Sequence, residues 1–88
     1  MKLKNNPSLV ATIRNLQQQG AQSVDLLRFL EQRRLSHAEM MSIFREAFDL
    51  EFDDVSCIAG WFGDGSGELS DEAVNRLLRS AIASRNKN

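Results

Sequence analysis

The chain carries one cysteine, Cys57, and no apolar run that approaches the length of a membrane span. A lone cysteine excludes an internal disulfide and a cysteine-based metal cluster. The missing apolar run excludes a membrane-spanning helix, so no membrane contact is expected. The opening MKLKNNPSLV has two lysines but no apolar stretch behind them and does not read as a secretory signal, which makes the cytoplasm the expected compartment. Strand-like patterning is almost absent, and no glycine-rich phosphate loop or oxyanion-type glycine motif is present.

What remains is a helical pattern. Eighty-eight residues, 42% of them hydrophobic, suffice for one globular domain over residues 1–88 with a modest core. Pro7 behind Asn6 opens a first helix in which Leu9, Val10, Ile13 and Leu16 recur at helical spacing until Gly20, over about 7 to 19. Ser23 is placed to cap a second helix, about 24 to 34, carrying Leu26, Leu27, Phe29 and Leu30 and ending in Arg33 and Arg34. Ser36 with Glu39 forms a capping box for a third helix, about 37 to 48, whose apolar stripe is Met40, Ile43, Phe44, Ala47 and Phe48, with Met41 beside it. A short helical turn after Asp53 holds Val55, Ile58 and Ala59. The last helix, about 71 to 84, sets Val74, Leu77, Leu78, Ala81 and Ile82 on one face. Residues 1–6 and 85–88 are expected to fray. Phe29, Glu31, Leu35 and Glu39 echo Phe44, Glu46, Leu50 and Asp54 fifteen residues on, a spacing too short for a repeat unit and read as two similar helix corners. The expected fold is all-α, a compact orthogonal bundle of four to five short helices.

Few residues point to catalysis. His37, the sole histidine, falls just inside a capped helix and reads as an exposed first-turn residue. Cys57 lies among apolar neighbours and reads as a small buried hydrophobe that reacts slowly with thiol reagents. No third residue accompanies them to make a nucleophile and base, so no catalytic residue, cofactor or metal is expected and the protein is not read as an enzyme. Trp61 and Phe62, between glycines, read as a core corner. The alternative is an aromatic anchor exposed for binding.

Charge is strongly segregated beneath a net charge of −1. Residues 1–34 hold six Lys or Arg and two acids, residues 35–72 one Arg and ten acids, and residues 73–88 four cations and no acid. The acids Asp49, Glu51, Asp53, Asp54, Asp64, Glu68, Asp71 and Glu72 fall on two loops and the adjoining helix starts around Trp61, and are expected to gather on one side. Such a surface is either a solvated face or a docking site that repels nucleic acid and attracts a basic protein. With Trp61, these eight acids are the candidate partner-binding residues.

The segment FREAFDLEFDDVSCIAGWFGDGSGELSDEAVNRLL, residues 44–78, resembles a family of small bacterial helical proteins in which an apolar helix runs into an acidic turn, a Gly-Trp pair, a glycine-containing loop and Glu-Leu-Ser-Asp before the last helix. It is similar, more loosely, to the small immunity proteins that bacteria encode beside contact-dependent inhibition and other polymorphic toxins. The resemblance covers under half of the chain. It implies non-catalytic binding that blocks a toxin domain, often a nuclease with a basic surface. The alternative is a helix-turn-helix regulator that binds DNA, with LSHAEMMSIF as recognition helix. Its exposed positions would be His37, Glu39 and Ser42, with no base before Arg45, the wrong sign for phosphates.

One local motif makes a sharp prediction. With Gly67 on the sixth position of a calcium loop, Asp64, Ser66, Glu68, Leu69 and Ser70 fall on acceptable positions, but Phe62 stands at the first and Ala73 at the twelfth, where carboxylates must anchor the ion. Millimolar calcium should leave the melting temperature unchanged, because a ligand that favours the native state would raise it by mass action. A calcium-specific rise, absent with magnesium and abolished by Asp64→Ala, would show a site.

Overall fold

Apolar residues spaced three and four apart build five α-helices: α1 Pro7–Gln18, α2 Ser23–Glu31, α3 His37–Phe48, α4 Phe52–Val55 and α5 Asp71–Arg85. A 3-10 helix, Ser56–Gly60, follows α4 directly. The structure is a computed structural model that describes residues 7–85, and no strand occurs among them, so the fold is all-α. The fraying expected of 1–6 and 86–88 lies outside the described residues, while Arg85, expected in the frayed tail, is the last residue of α5.

Two helix starts follow local sequence. Ser36 Oγ accepts the Glu39 N–H at 3.1 Å and Glu39 Oε1 accepts the Ser36 N–H at 2.8 Å, the reciprocal box that opens α3. Ser70 Oγ accepts the Ala73 N–H at 3.1 Å and opens α5. The start of α2 is different. Ser23 is not its cap but its first residue, and it is buried. Gln22 takes the cap position, with its N–H donating to Asp25 Oδ2 at 3.1 Å. Asn75 of α5 supplies from across the bundle what a local serine would have given: its Oδ1 accepts the Val24 N–H at 2.7 Å, and its amide donates to Gln22 Oε1 at 3.1 Å. α2 also ends early, at Glu31, because residues 32–34 turn and Arg34 adopts a left-handed φ of 64°.

The buried side chains form one cluster, with Ile13 from α1, Leu26, Leu27 and Leu30 from α2 and Phe44 from α3 sealed from solvent. Full burial of each such side chain contributes about 1.5–3 kcal/mol. α1 lies along α3, where Arg14 Nε donates to the Ala47 carbonyl at 2.7 Å and Nη2 to that of Glu46 at 3.3 Å. A cation thus covers carbonyls that the end of α3 leaves open. α5 packs on α2 through a narrow stripe, Val74, Leu78 and Ile82. Leu77, expected on that face, is 49% exposed, because a stripe of every fourth residue turns its neighbour toward solvent.

Between the 3-10 helix and α5 the chain makes a closed loop. The Leu69 N–H donates to the Gly60 carbonyl at 3.0 Å and joins the two ends of the loop. Gly67 fits inside the neck: a Cβ there would strike the Gly60 carbonyl oxygen and sit 2.8 Å from Phe62 Cδ1. Gly67→Ala should therefore destabilise by about 1–3 kcal/mol, the cost of overpacking against backbone. Gly63→Ala should cost less, because its new Cβ meets only the carboxylate end of the flexible Glu31 side chain. Urea titrations of the two variants compare them directly.

Candidate functional site

The loop places its two aromatics in opposite environments. Trp61 is fully buried, whereas Phe62 is 43% exposed. The Trp61 Nε1–H donates to Asp71 Oδ1 at 2.8 Å, and Asp71 Oδ2 accepts from Arg28 Nη2 at 2.6 Å. The Arg28 guanidinium lies 5.8 Å from the centre of the Trp61 ring, within cation–π range. His37 Nε2 lies 2.7 Å from the Trp61 carbonyl oxygen, and since a carbonyl only accepts, this nitrogen carries the proton. The His37 ring also packs on Phe62, centroids 4.7 Å apart. His37 is therefore half-buried against the loop rather than an exposed first-turn residue.

These contacts revise the reading of two candidates. Trp61 is core, so the alternative of an exposed anchor does not hold, and of the expected aromatic corner only Trp61 is inside. Asp71 has both oxygens committed inside the protein. The Trp61 indole N–H and then the Arg28 guanidinium hold its carboxyl below the ordinary carboxylate value.

The remaining acids do not share one side. Asp49, Glu51, Asp53 and Asp54 stand at the α3–α4 corner, where Asp49 caps α3 in the left-handed conformation, φ 56°. Arg85 reaches this corner from the end of α5, with Nε 3.0 Å from Asp54 Oδ2 and Nη2 3.6 Å from Glu51 Oε1. Asp54 also accepts the Glu51 N–H at 3.0 Å, and that bond, followed by Arg85, lowers its carboxyl pKa. Asp53 has no side-chain partner among the described residues. Asp64 accepts the Ser66 N–H at 2.9 Å within its own turn, and Ser66 pulls its pKa down. Glu68 is exposed on the same loop. Glu72 lines a different cleft, between α5 and the α1–α2 turn.

The corner contains a residue that charge alone did not reveal. Phe52, between Glu51 and Asp53, is 57% exposed. A groove between α4, the 3-10 helix and α5 starts at the next residue, with Asp53 and Asp54 on one wall, Leu77, Ala81 and Ser84 on the other, and Cys57 between. Phe52 and Leu77 are the two most exposed large apolar side chains among the described residues. The sequence signal for Phe52 was its place inside the acid run LEFDD, outside any apolar stripe. Cys57 is half-buried, and desolvation pushes its thiol pKa up, so it stays protonated near neutrality. No three His, Cys, Asp or Glu side chains among the described residues come together as metal ligands. No helix among them is long and apolar enough to cross a membrane. Comparison with protein-family models, curated proteins and solved structures finds no match to this chain.

The Asp71 contacts set a pH dependence. A carboxyl whose pKa is lowered on folding contributes stability in full above its unfolded value and loses it as pH falls through the folded one. Asp71→Asn keeps an amide oxygen for Trp61 but removes the charge facing Arg28. Its melting temperature should lie below that of the wild type near neutrality, and the gap should narrow as pH drops below about 4. A gap independent of pH from 7 to 2.5 would show that the carboxylate charge contributes nothing.

Proposed function

We propose that the protein is a non-catalytic binding module that engages a basic protein surface through the α3–α4 corner. The observation that carries this reading is Phe52, 57% exposed and flanked in the chain by Glu51 and Asp53, on the same short helix as the Asp53–Asp54 wall of a groove lined also by the exposed Leu77. An exposed aromatic side chain set between acids in the chain combines the two parts of a charged interface. Apolar burial at the centre slows dissociation, and the surrounding charge speeds encounter. Asp49, Glu51, Asp53 and Asp54 form the charged rim on this reading, whereas Asp64 and Glu68 lie on the loop that packs at the other end of α3 and are not part of it. Trp61 and Asp71 act from within, by holding the loop and α5 in place. The resemblance of residues 44–78 to immunity proteins supports a toxin domain, such as a basic nuclease, as the partner. The cytoplasm, where Cys57 stays reduced, is the compartment in which such a protein would protect its own cell.

The helix-turn-helix alternative gains no support from α3. His37 is turned onto Trp61, Glu39 is occupied in the cap, and the exposed positions before Arg45 carry no base.

A pull-down from native cells at low salt should retain a basic protein, and retention should weaken as salt rises through the range where the Debye length falls below about 10 Å. Phe52→Ala should weaken binding by roughly 30-fold, mainly through faster dissociation, as expected for an aromatic hot spot. Glu51→Gln should mainly slow association. Both variants should keep the helical circular dichroism of the wild type. If Phe52→Ala and reversal of all four corner acids to Lys leave binding unchanged in folded protein, the corner is only a solvated face. Retention on heparin and a shift with random duplex DNA would favour the regulator instead.

A further inference from the structure

α5 borders a second cleft, of about 660 Å³, between its Glu72, Asn75, Arg76 and Arg79 edge and the start of α2 at Gln22 and Ser23. We propose that this cleft binds a small phosphate monoester.

Three independent features of the cleft point to an oxyanion. The first is a pair of uncommitted cations. Arg76 and Arg79, three residues apart on α5, are exposed, and neither has an ion pair or side-chain hydrogen bond among the described residues. Arg28 and Arg85, by contrast, are both paired with carboxylates. Two guanidiniums so close on one helix repel each other, and an anion between them relieves that repulsion.

The second feature is Ser23, which is 7% exposed and the only buried polar residue among those described. Neither its hydroxyl nor its backbone N–H has a partner among the described residues. No side-chain polar atom is both sealed from solvent and unpaired, so the remaining exposure of the Ser23 hydroxyl is toward the cleft that it lines. The hydroxyl, open to the cleft, and the N–H are both free to donate to an acceptor held there. They also lie on the first residue of the nine-residue helix α2, at the positive end of its dipole.

The third feature is the way the walls are fixed. Asn75 accepts the Val24 N–H at 2.7 Å and donates to Gln22 Oε1 at 3.1 Å, so the first turn of α2 is locked to the helix that carries both arginines. The donors are thereby preorganised.

The acids set the ligand class. Glu72 on the wall leaves two cations against one carboxylate, which suits a single phosphoryl group better than a polyphosphate. The Glu72 carboxylate is in turn an acceptor for a hydroxyl on the rest of the ligand. Asp25, in the first turn of α2, directs Oδ2 to the Gln22 N–H and is not part of the cleft wall. The volume falls within the range of about 300–1,000 Å³ found for small-ligand sites. The site uses no residue of the α3–α4 corner and does not depend on the function proposed above.

The test is a titration of isotope-labelled protein with inorganic phosphate and with ribose 5-phosphate, each against chloride at matched ionic strength, followed by amide and arginine side-chain resonances. Ser23, Arg76 and Arg79 should shift saturably with both phosphates and not with chloride. Ribose 5-phosphate should bind at least threefold more tightly than inorganic phosphate, because its hydroxyls meet Glu72. Arg76→Gln combined with Arg79→Gln, both surface changes, should weaken binding at least tenfold. Ser23→Ala should weaken it severalfold with no loss of helical signal. Absence of a saturable shift, undiminished affinity in the double variant, or tighter binding of inorganic phosphate than of ribose 5-phosphate would each overturn the proposal.

Discussion

The structure turns on the hydrogen bond from the Trp61 indole to Asp71. A large ring cannot be buried completely unless its one polar group finds an acceptor, and Asp71 supplies it at 2.8 Å. Asp71 is also the first residue of α5, where a carboxylate complements the helix dipole, and its second oxygen takes Arg28 from α2. His37 adds α3 by donating to the Trp61 carbonyl. One aromatic residue in a loop therefore fixes the loop against three helices. Replacing it with an apolar ring would keep much of the burial and the His37 bond to the main-chain carbonyl, but would leave Asp71 Oδ1 without its donor.

This arrangement makes α5 the common wall of both surfaces. Its buried stripe is only Val74, Leu78 and Ile82, so the two flanks of the helix stay available. One flank, with Leu77, Ala81 and Ser84, faces the acidic corner, and the other, with Asn75, Arg76 and Arg79, faces the start of α2. The cationic tail segment seen in the sequence is divided accordingly. Arg85 moderates the acids of the corner, while Arg76 and Arg79 remain uncommitted on the opposite flank. Segregation along the chain thus becomes partial neutralisation at one place and exposed charge at another.

Features that depend on neighbours in sequence were readable, and those that depend on distant partners were not. The start of α3 followed from Ser36 and Glu39, three residues apart, and the start of α5 from Ser70. Ser23 looked like an equally good cap, but Asn75, 51 residues from Val24, took over the helix start and let the serine turn inward. Adjacent aromatics in a loop without periodicity gave no means of telling the buried Trp61 from the exposed Phe62. Leu77 fits the helical period as well as Leu78 does, and only the narrowness of the α2 contact turns it outward. The acids appeared to form one group because sequence records their crowding, whereas Arg28 and Arg85, 43 and 31 residues from their partners Asp71 and Asp54, decide which stay available. Asp64 and Ser66 resembled part of a calcium loop because a tight turn and a cation loop draw on the same residues. Here Asp64 accepts the Ser66 N–H and closes the turn itself.

The two proposed surfaces share a helix, which raises the question of coupling between them. A ligand shifts an equilibrium only as far as it distinguishes the two states, so coupling through α5 would require the helix to move as a body. Its first residue is held by Trp61 and Arg28, and its last by Asp54 and Glu51. Between those ends, Asn75 is tied to α2 and the buried stripe interlocks with the core. The helix is thus tied firmly at its first residue and along its middle, and more loosely at its end, where the ion pairs of Arg85 are exposed. On the two proposals, a ligand between Arg76 and Arg79 would leave Leu77 and the corner acids where they are, and the two surfaces would act independently. Protonation of Asp71 in acid removes the charge facing Arg28 but leaves an oxygen to accept from Trp61, so this end of α5 is held less tightly without being released.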